Sequence, residues 1–163
     1  MIFFKIIYRL NVYFKLLIFK LIYLNKFRIG KNLSFRKGFT LVIEGKNAKV
    51  KIGNNCFFNN YCTIAAQSHI TIGDNTIFGE NVKIYDHNHN YIDHNKLIKH
   101  QGYSTDHIEI GQNCWIASNV IILKGVKIGD NCVIGAGCIV HKDISSNSIV
   151  LCKQEKLIRL NNE

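Results

Sequence analysis

At 163 residues and 18.7 kDa, the chain is long enough for one domain with a substantial core. Hydrophobic residues make up 47% and charged residues 20%, and proline is absent, which excludes wholesale disorder, collagen and proline-rich linkers. The net charge of +10 sits at one end: nine basic residues and no acidic one precede Glu44, while the remaining 12 basic residues nearly balance the 11 acidic ones. A basic groove reading nucleic acid along the whole domain would not concentrate charge this way, so a membrane surface or anionic lipid is the better match.

Residues 1–28 form the basic, greasy leader. Phe3, Ile6, Leu10, Phe14, Leu17, Leu21 and Leu24 recur at helical spacing and predict one apolar stripe on an amphipathic helix. Lys5, Arg9, Lys15 and Lys20 interrupt residues 1–24 too often for the ~20 apolar residues of a membrane span. No small-residue cleavage site follows, which argues against a secretory signal. Such a helix lies on a membrane or docks against the body or a sister subunit; a removed targeting segment is the remaining reading.

From Ile29 the sequence repeats. Ile52-Gly53-Asn54-Asn55, Ile72-Gly73-Asp74-Asn75, Ile110-Gly111-Gln112-Asn113 and Ile128-Gly129-Asp130-Asn131 are near copies, with Ile29-Gly30-Lys31-Asn32 a degenerate earlier one. Large apolar residues recur every six: Ile52, Phe58, Ile64; Ile72, Phe78, Ile84; Ile110, Ile116, Ile122; Ile128, Ile134, Val140. The fifth position of each hexad is small throughout, as at Cys56, Cys62, Thr76, Cys114, Cys132 and Cys138, and the second favours glycine or another small or turn-prone residue. A knob, a tight turn and a small residue every six steps fit neither a helix nor a simple alternating strand. They predict a triangular coil of three short strands over 29–150, stacked at the ~4.8 Å strand spacing in about five coils, with the leader as a cap. Five of the six cysteines fall at the small interior position and no CxxC pair exists, so they read as core residues in a reducing, cytoplasmic compartment rather than as disulfides or zinc ligands.

Ile84 and Ile110 are 26 residues apart where six would do, so a loop over 85–107 is extruded from the coil. It holds five of the seven histidines (His87, His89, His94, His100 and His107) together with Asp86, Asp93 and Asp106. Imidazole is the side chain best matched to proton transfer near neutral pH, so at least one of these histidines is expected to be functional.

Gly79-Glu80-Asn81-Val82-Lys83-Ile84 before Asp86-His87-Asn88-His89, then Trp115-Ile116-Ala117-Ser118, then Ile134-Gly135-Ala136-Gly137-Cys138 running on to Lys142-Asp143 are the segments that carry a resemblance. Over roughly 50–160 the chain resembles the hexapeptide-repeat acyltransferases, nearest the galactoside, maltose and xenobiotic O-acetyltransferases and the sugar acetyltransferases of bacterial surface-polysaccharide pathways. The resemblance implies an all-β solenoid, a left-handed parallel β-helix, although right-handed crossovers are the rule elsewhere. It implies acetyl transfer from acetyl-CoA to a sugar hydroxyl, without a metal, in a homotrimer with sites between subunits, in the cytoplasm or at the inner face of the membrane. No nucleic-acid partner is implied.

Residue by residue, the resemblance makes His89 the general base, with His87 as competitor, and the Ser118 amide the oxyanion donor. Ala117, Ser118, Ala136, Gly137, Lys142, Lys156 and Arg159 match the CoA-binding positions, the last two in the basic tail 151–163. Asn59, Asn81, Asp86, His87 and Trp115 fall on the acceptor side. Cys152 and Gln154 stand where the family has glycine and proline, and Gln67 where it has an aspartate, so the tail turn and the sugar need not be the same. Two other readings remain. His89 and His94 have a spacing usable by zinc, as in a γ-carbonic-anhydrase-like enzyme on this scaffold. A catalytically silent saccharide-binding β-helix is the other.

Overall fold

The structure, a computed structural model, describes residues 2–152, with side chains from residue 7 onward. A helix, α1 (Ile2–Tyr23), and a short 3-10 turn (Leu24–Lys26) lead into a parallel solenoid of three faces. The first face stacks Phe27–Ile29, Lys49–Ile52, His69–Ile72, Ile108–Ile110 and Lys127–Ile128. The second stacks Ser34–Phe35, Phe57–Phe58, Ile77–Phe78, Trp115–Ile116, Val133–Ile134 and Ile149–Val150. The third stacks Thr40–Ile43, Thr63–Ala66, Lys83–Tyr85, Ile121–Ile122 and Ile139–Val140. Five coils are complete, and the Ile128–Ile144 bridge with the strand Ile149–Val150 begins a sixth turn beyond the five the hexads predict.

The six-residue knobs meet in register. Ile52 pairs with Ile72, Phe58 with Phe78, Ile64 with Ile84, and Ile116 with Ile134, and all of these side chains are buried. Each is worth ~1.5–3 kcal/mol of burial, which holds together strands only two to four residues long. The corners follow from backbone sterics. Three residues after a knob the chain turns left-handed, at Asn32, Asn55, Asn75, Asn81, Asn113, Asn119, Asn131 and Asn147, with φ between 53° and 63°. Asparagine tolerates this region better than other residues with a Cβ, and its side chains pair up the stack, as from Asn81 Nδ2 to Asn119 Oδ1.

The small interior position does more than save space. Cys56, Cys62, Cys114 and Cys132 each donate from Sγ to the corner carbonyl of the next coil, at Gly73, Gly79, Gly129 and Ser145. Thr76 donates its hydroxyl to Gly111 in the same way. These thiols are weak donors to inward carbonyls as well as small apolar fillers.

The leader packs on the first coil by the side opposite its apolar stripe. Val12 and Leu16 are buried, and Phe19 rests on Phe27, Phe35 and Phe39. Tyr8 donates to the Phe35 carbonyl and Tyr23 to that of Leu41. α1 thereby touches all three faces of the first coil and closes the end of the prism. Leu10, Phe14, Leu17, Leu21 and Leu24 stay exposed. The helix is apolar nearly all round, and the aromatic side matches the phenylalanines stacked in the first coils better than the leucines do.

Candidate active site

The extruded loop leaves the coil after the third-face strand Lys83–Tyr85 and returns at Ile108. It is not irregular throughout: His87–His89 pairs antiparallel with Tyr103–Thr105, His87 opposite Thr105 and His89 opposite Tyr103. The Asp106 amide donates to the Asp86 carbonyl at 2.9 Å, cinching the loop where it leaves the solenoid.

Asp86 is the bracket of this loop. It is fully buried, and its carboxylate accepts the Gln67 amide at 2.7 Å and the Ser68 amide at 2.8 Å. His87 Nδ1 lies 3.0 Å from the same carboxylate. A carboxylate that already accepts two amides accepts here too, so Nδ1 carries a hydrogen, and the tautomer this fixes for the neutral ring is the one with the lone pair on Nε2. The sequence reading put Asp86 on the acceptor side; in the structure its carboxylate is interior and holds three polar partners that brace the loop. The rings of His69 and His107 lie beside this bracket with centroids 4.6 Å apart, tilted by 46°.

The two candidate bases differ in access. His87 is wedged edge-on against Tyr103 with 18% of its side chain exposed. His89 is exposed at the outer edge of the hairpin, its ring 4.6 Å from that of Tyr103. His94 lies exposed farther along, and among the described residues no three His, Cys, Asp or Glu side chains converge as metal ligands would.

A second constellation lies at the corner between the second and third faces. Here Gly79, Ala117, Ser118, Ala136 and Gly137 form a ledge of small residues. A Cβ on Gly79 would come 2.5 Å from the Ser118 nitrogen, so only glycine permits this approach of successive coils.

Five amides at the solenoid corners are met by the side chain one coil on: Lys31 by Asn54, Asn54 by Asp74, Glu80 by Ser118, Gln112 by Asp130, and Asp130 by Ser146; the Asn60 amide turns instead to the adjacent Asn59 side chain. The residue in that register above Ser118 is Ala136, which has no acceptor. Among the described residues the Ser118 amide therefore has no acceptor, at a half-buried corner. The Asp74 amide is likewise unmet, because Gln112 turns its side chain toward Asp130.

Other expected site residues scatter. Asn59 Oδ1 accepts the Asn60 amide, and Asn81 is a left-handed corner in an asparagine ladder, a structural task already filled. Trp115 is 52% exposed and joins Phe57, Ile77, Val133 and Ile149 in an outward apolar row on the second face. Lys142 is exposed beyond the third-face strand Ile139–Val140, on the corner from which the loop springs, with Ala136 and Gly137 at the other end of that strand. Lys156 and Arg159 lie outside the described residues. What sequence reasoning missed was Asp86 as brace and Ala136 as a missing acceptor; along the second-to-third-face corner the polar residues two after each knob, Lys37, Asn60, Glu80 and Ser118, give way to Ala136, and that was the readable signal.

The comparisons with known proteins bear on this geometry. Residues 107–142 match the bacterial transferase hexapeptide (six repeats) model. WbbJ of Escherichia coli K12, named for O-acetyl transfer in lipopolysaccharide biosynthesis, is 29% identical over 80% of this chain and 69% of its own length. Over residues 107–142 the chain is thus similar to the hexapeptide-repeat transferases. The galactoside O-acetyltransferase of E. coli K12 is 40% identical over 69% of this chain and 54% of its own length. The chain thus spans about half of that relative. A hexapeptide-repeat acetyltransferase of Vibrio cholerae, solved with acetyl-CoA, superposes with a TM-score of 0.66 at 26% identity, over 75% of this chain and 64% of its own. The solenoid is accordingly the left-handed parallel β-helix expected from the resemblance.

Proposed function

We propose that the protein is an acyltransferase that moves an acetyl group from acetyl-CoA to a sugar hydroxyl during the building of a surface polysaccharide or glycolipid. The observation that carries this reading is the unmatched Ser118 amide on a ledge of small residues. A fixed N–H donor without an acceptor is what the oxyanion of acyl transfer needs, and the ledge gives a pantetheine arm a flat path. The named activities of the relatives support the same class.

In the reaction, His89 Nε2 takes the proton of the sugar hydroxyl as its oxygen attacks the thioester carbonyl. The new C–O bond forms, the oxyanion accepts from the Ser118 amide, and collapse breaks the C–S bond. The imidazolium then returns the proton to the departing CoA sulfur. His89 takes this role because its ring is open to an incoming acceptor. A second reading, His87 as base, is favoured by the Asp86 carboxylate that fixes its tautomer.

Within one chain the loop and the ledge stand at opposite edges of the third face, so the base and the oxyanion donor meet only if two protomers share a site. This supports a trimer, and the row Phe57, Ile77, Trp115, Val133 and Ile149 gives it an apolar contact face, whereas the first face turns Arg28, Lys51, Thr71, Glu109 and Lys127 outward. Asn59 and Trp115 remain on the acceptor side, and Ala117, Ala136, Gly137 and Lys142 along the CoA path; Lys156 and Arg159 lie outside the described residues and keep only the phosphate-binding role that the resemblance gives them. Asp86 and Asn81 serve the frame. The test is release of free thiol from acetyl-CoA across a panel of sugars and nucleotide- or lipid-linked sugars. Turnover with a hydroxyl acceptor supports the assignment; neither turnover nor acetyl-CoA binding by calorimetry overturns it in favour of a silent saccharide-binding solenoid.

A further inference from the structure

One surface takes no part in that chemistry. α1 lies across the end of the prism with Val12, Leu16, Phe19 and Tyr23 turned to the first coil. At 3.6 residues per turn, Leu10, Phe14, Leu17 and Leu21 stand on the opposite side, along the solenoid axis and away from the body. They are 62%, 64%, 55% and 65% exposed. Ile18 and Ile22 continue the apolar surface on one flank. On the other, Arg9 and Lys20 border Tyr13, over grooves of about 510 and 450 Å³ between α1 and the first coil, where Lys31 also lies. The outer corners of that coil add Arg36, Lys37 and Lys46, all exposed, against the single acid Glu44.

We propose that this end of the molecule is a docking surface for an anionic lipid bilayer. An apolar stripe with cations along its flanks suits a helix lying in the plane of the headgroups, its leucines in the acyl boundary and its basic side chains level with the phosphates. Charge complementarity selects the partner: nine cations and no acid occur before Glu44, which is more than solubility needs and of one sign. No helix among the described residues is long and apolar enough to cross a membrane, so the contact is peripheral. The prism stands upright on this surface, which puts the loop and the ledge two or more coils above it, within reach of a saccharide carried on a lipid. In the proposed trimer, with prisms parallel, the three helices share one plane and bind together. Only that last consequence rests on the functional reading; the membrane contact does not.

The experiment is co-sedimentation of the full chain with vesicles of phosphatidylcholine, with and without phosphatidylglycerol, read by bound fraction and needing no turnover. Binding is expected to the anionic vesicles, weakening as salt is raised. Arg9→Gln and Lys20→Gln are each expected to lower the partition coefficient about fivefold. The double variant Leu17→Glu, Leu21→Glu, at exposed positions, is expected to abolish binding while circular dichroism and melting stay at wild-type values. The proposal is overturned if wild type stays in the supernatant, or if the double variant binds as wild type does. It is also overturned if the double variant lowers the molar mass by light scattering, which makes the face a contact between copies of this chain. Failure of acetyl transfer with vesicle binding intact would sink the functional reading alone.

Discussion

Ala136 sits one coil beyond Ser118, in the register where a polar side chain would accept the Ser118 amide. The same relationship one coil earlier is filled: Ser118 Oγ itself accepts the Glu80 amide at 3.1 Å. Replacing Ala136 with serine restores the pattern and quenches the free N–H. Ala136→Ser is expected to keep the fold and the affinity for acetyl-CoA while lowering kcat about 10²–10³-fold, the usual loss for one oxyanion donor. Steady-state kinetics beside calorimetric CoA binding would check it; an unchanged kcat would remove Ser118 from the mechanism.

The two loop histidines separate by substitution. His89→Ala is expected to reduce turnover by about 10²–10⁴-fold without altering assembly or melting. His87→Ala is expected to reduce it less and to loosen the hairpin, because its ring fills the space between Asp86 and Tyr103. The reverse order in single-turnover rates would assign the base to His87.

Asp86→Asn tests the bracket. The amide retains one acceptor oxygen where two backbone donors now bind, and its NH2 opposes the second. A loss of about 1–3 kcal/mol is expected from an unmet buried donor. Amide exchange should quicken at Gln67, Ser68 and Asp106, which hydrogen–deuterium exchange resolves. Protection equal to wild type at those three amides would show that other contacts hold the loop.

Acid should weaken the base of the loop. Burial first, then the neighbouring His107 and Lys49, hold the His69 imidazole below its ordinary value, against an opposing pull from Asp86. Its Nδ1 is enclosed without a hydrogen-bond partner among the described residues. The folded chain therefore binds fewer protons at His69 than the unfolded chain does. This contribution to stability is whole above the ordinary value of 6.5 and drains away as pH falls below it toward the folded value. Melting temperature is expected to drop between about pH 7.5 and about pH 5.5, with a shallower drop in His69→Gln. Parallel slopes for the two proteins would dismiss His69 as the cause.

Thiol chemistry reports on the coil interior. Burial raises the thiols of Cys56, Cys62 and Cys114, and Cys138 is pushed up to about 11 by burial and the adjacent Cys152 thiol. Mass spectrometry after native alkylation is expected to find label on Cys152, the exposed cysteine, and on all six only after denaturation. Rapid native labelling of the five buried cysteines would mean that the coils open far more readily than their packing implies.

The six-residue period alone determined the solenoid, because a knob that must point inward at every third of a turn leaves few other ways to bury Ile52, Phe58 and Ile64 together. The gap between Ile84 and Ile110 likewise announced the histidine loop, since a regular coil has no room for the extra residues. Which side of α1 packs was not legible, because a helix apolar nearly all round offers two faces, and only contact with Phe27, Phe35 and Phe39 chooses between them. The roles of Asp86 and Ala136 were hidden for a related reason. Asp86 matters through amides 18 and 19 residues earlier, and Ala136 through an acceptor it withholds 18 residues back. Residue type sets what a side chain can donate or accept; the stacking of coils decides which distant backbone group it meets, and that register exists only in three dimensions.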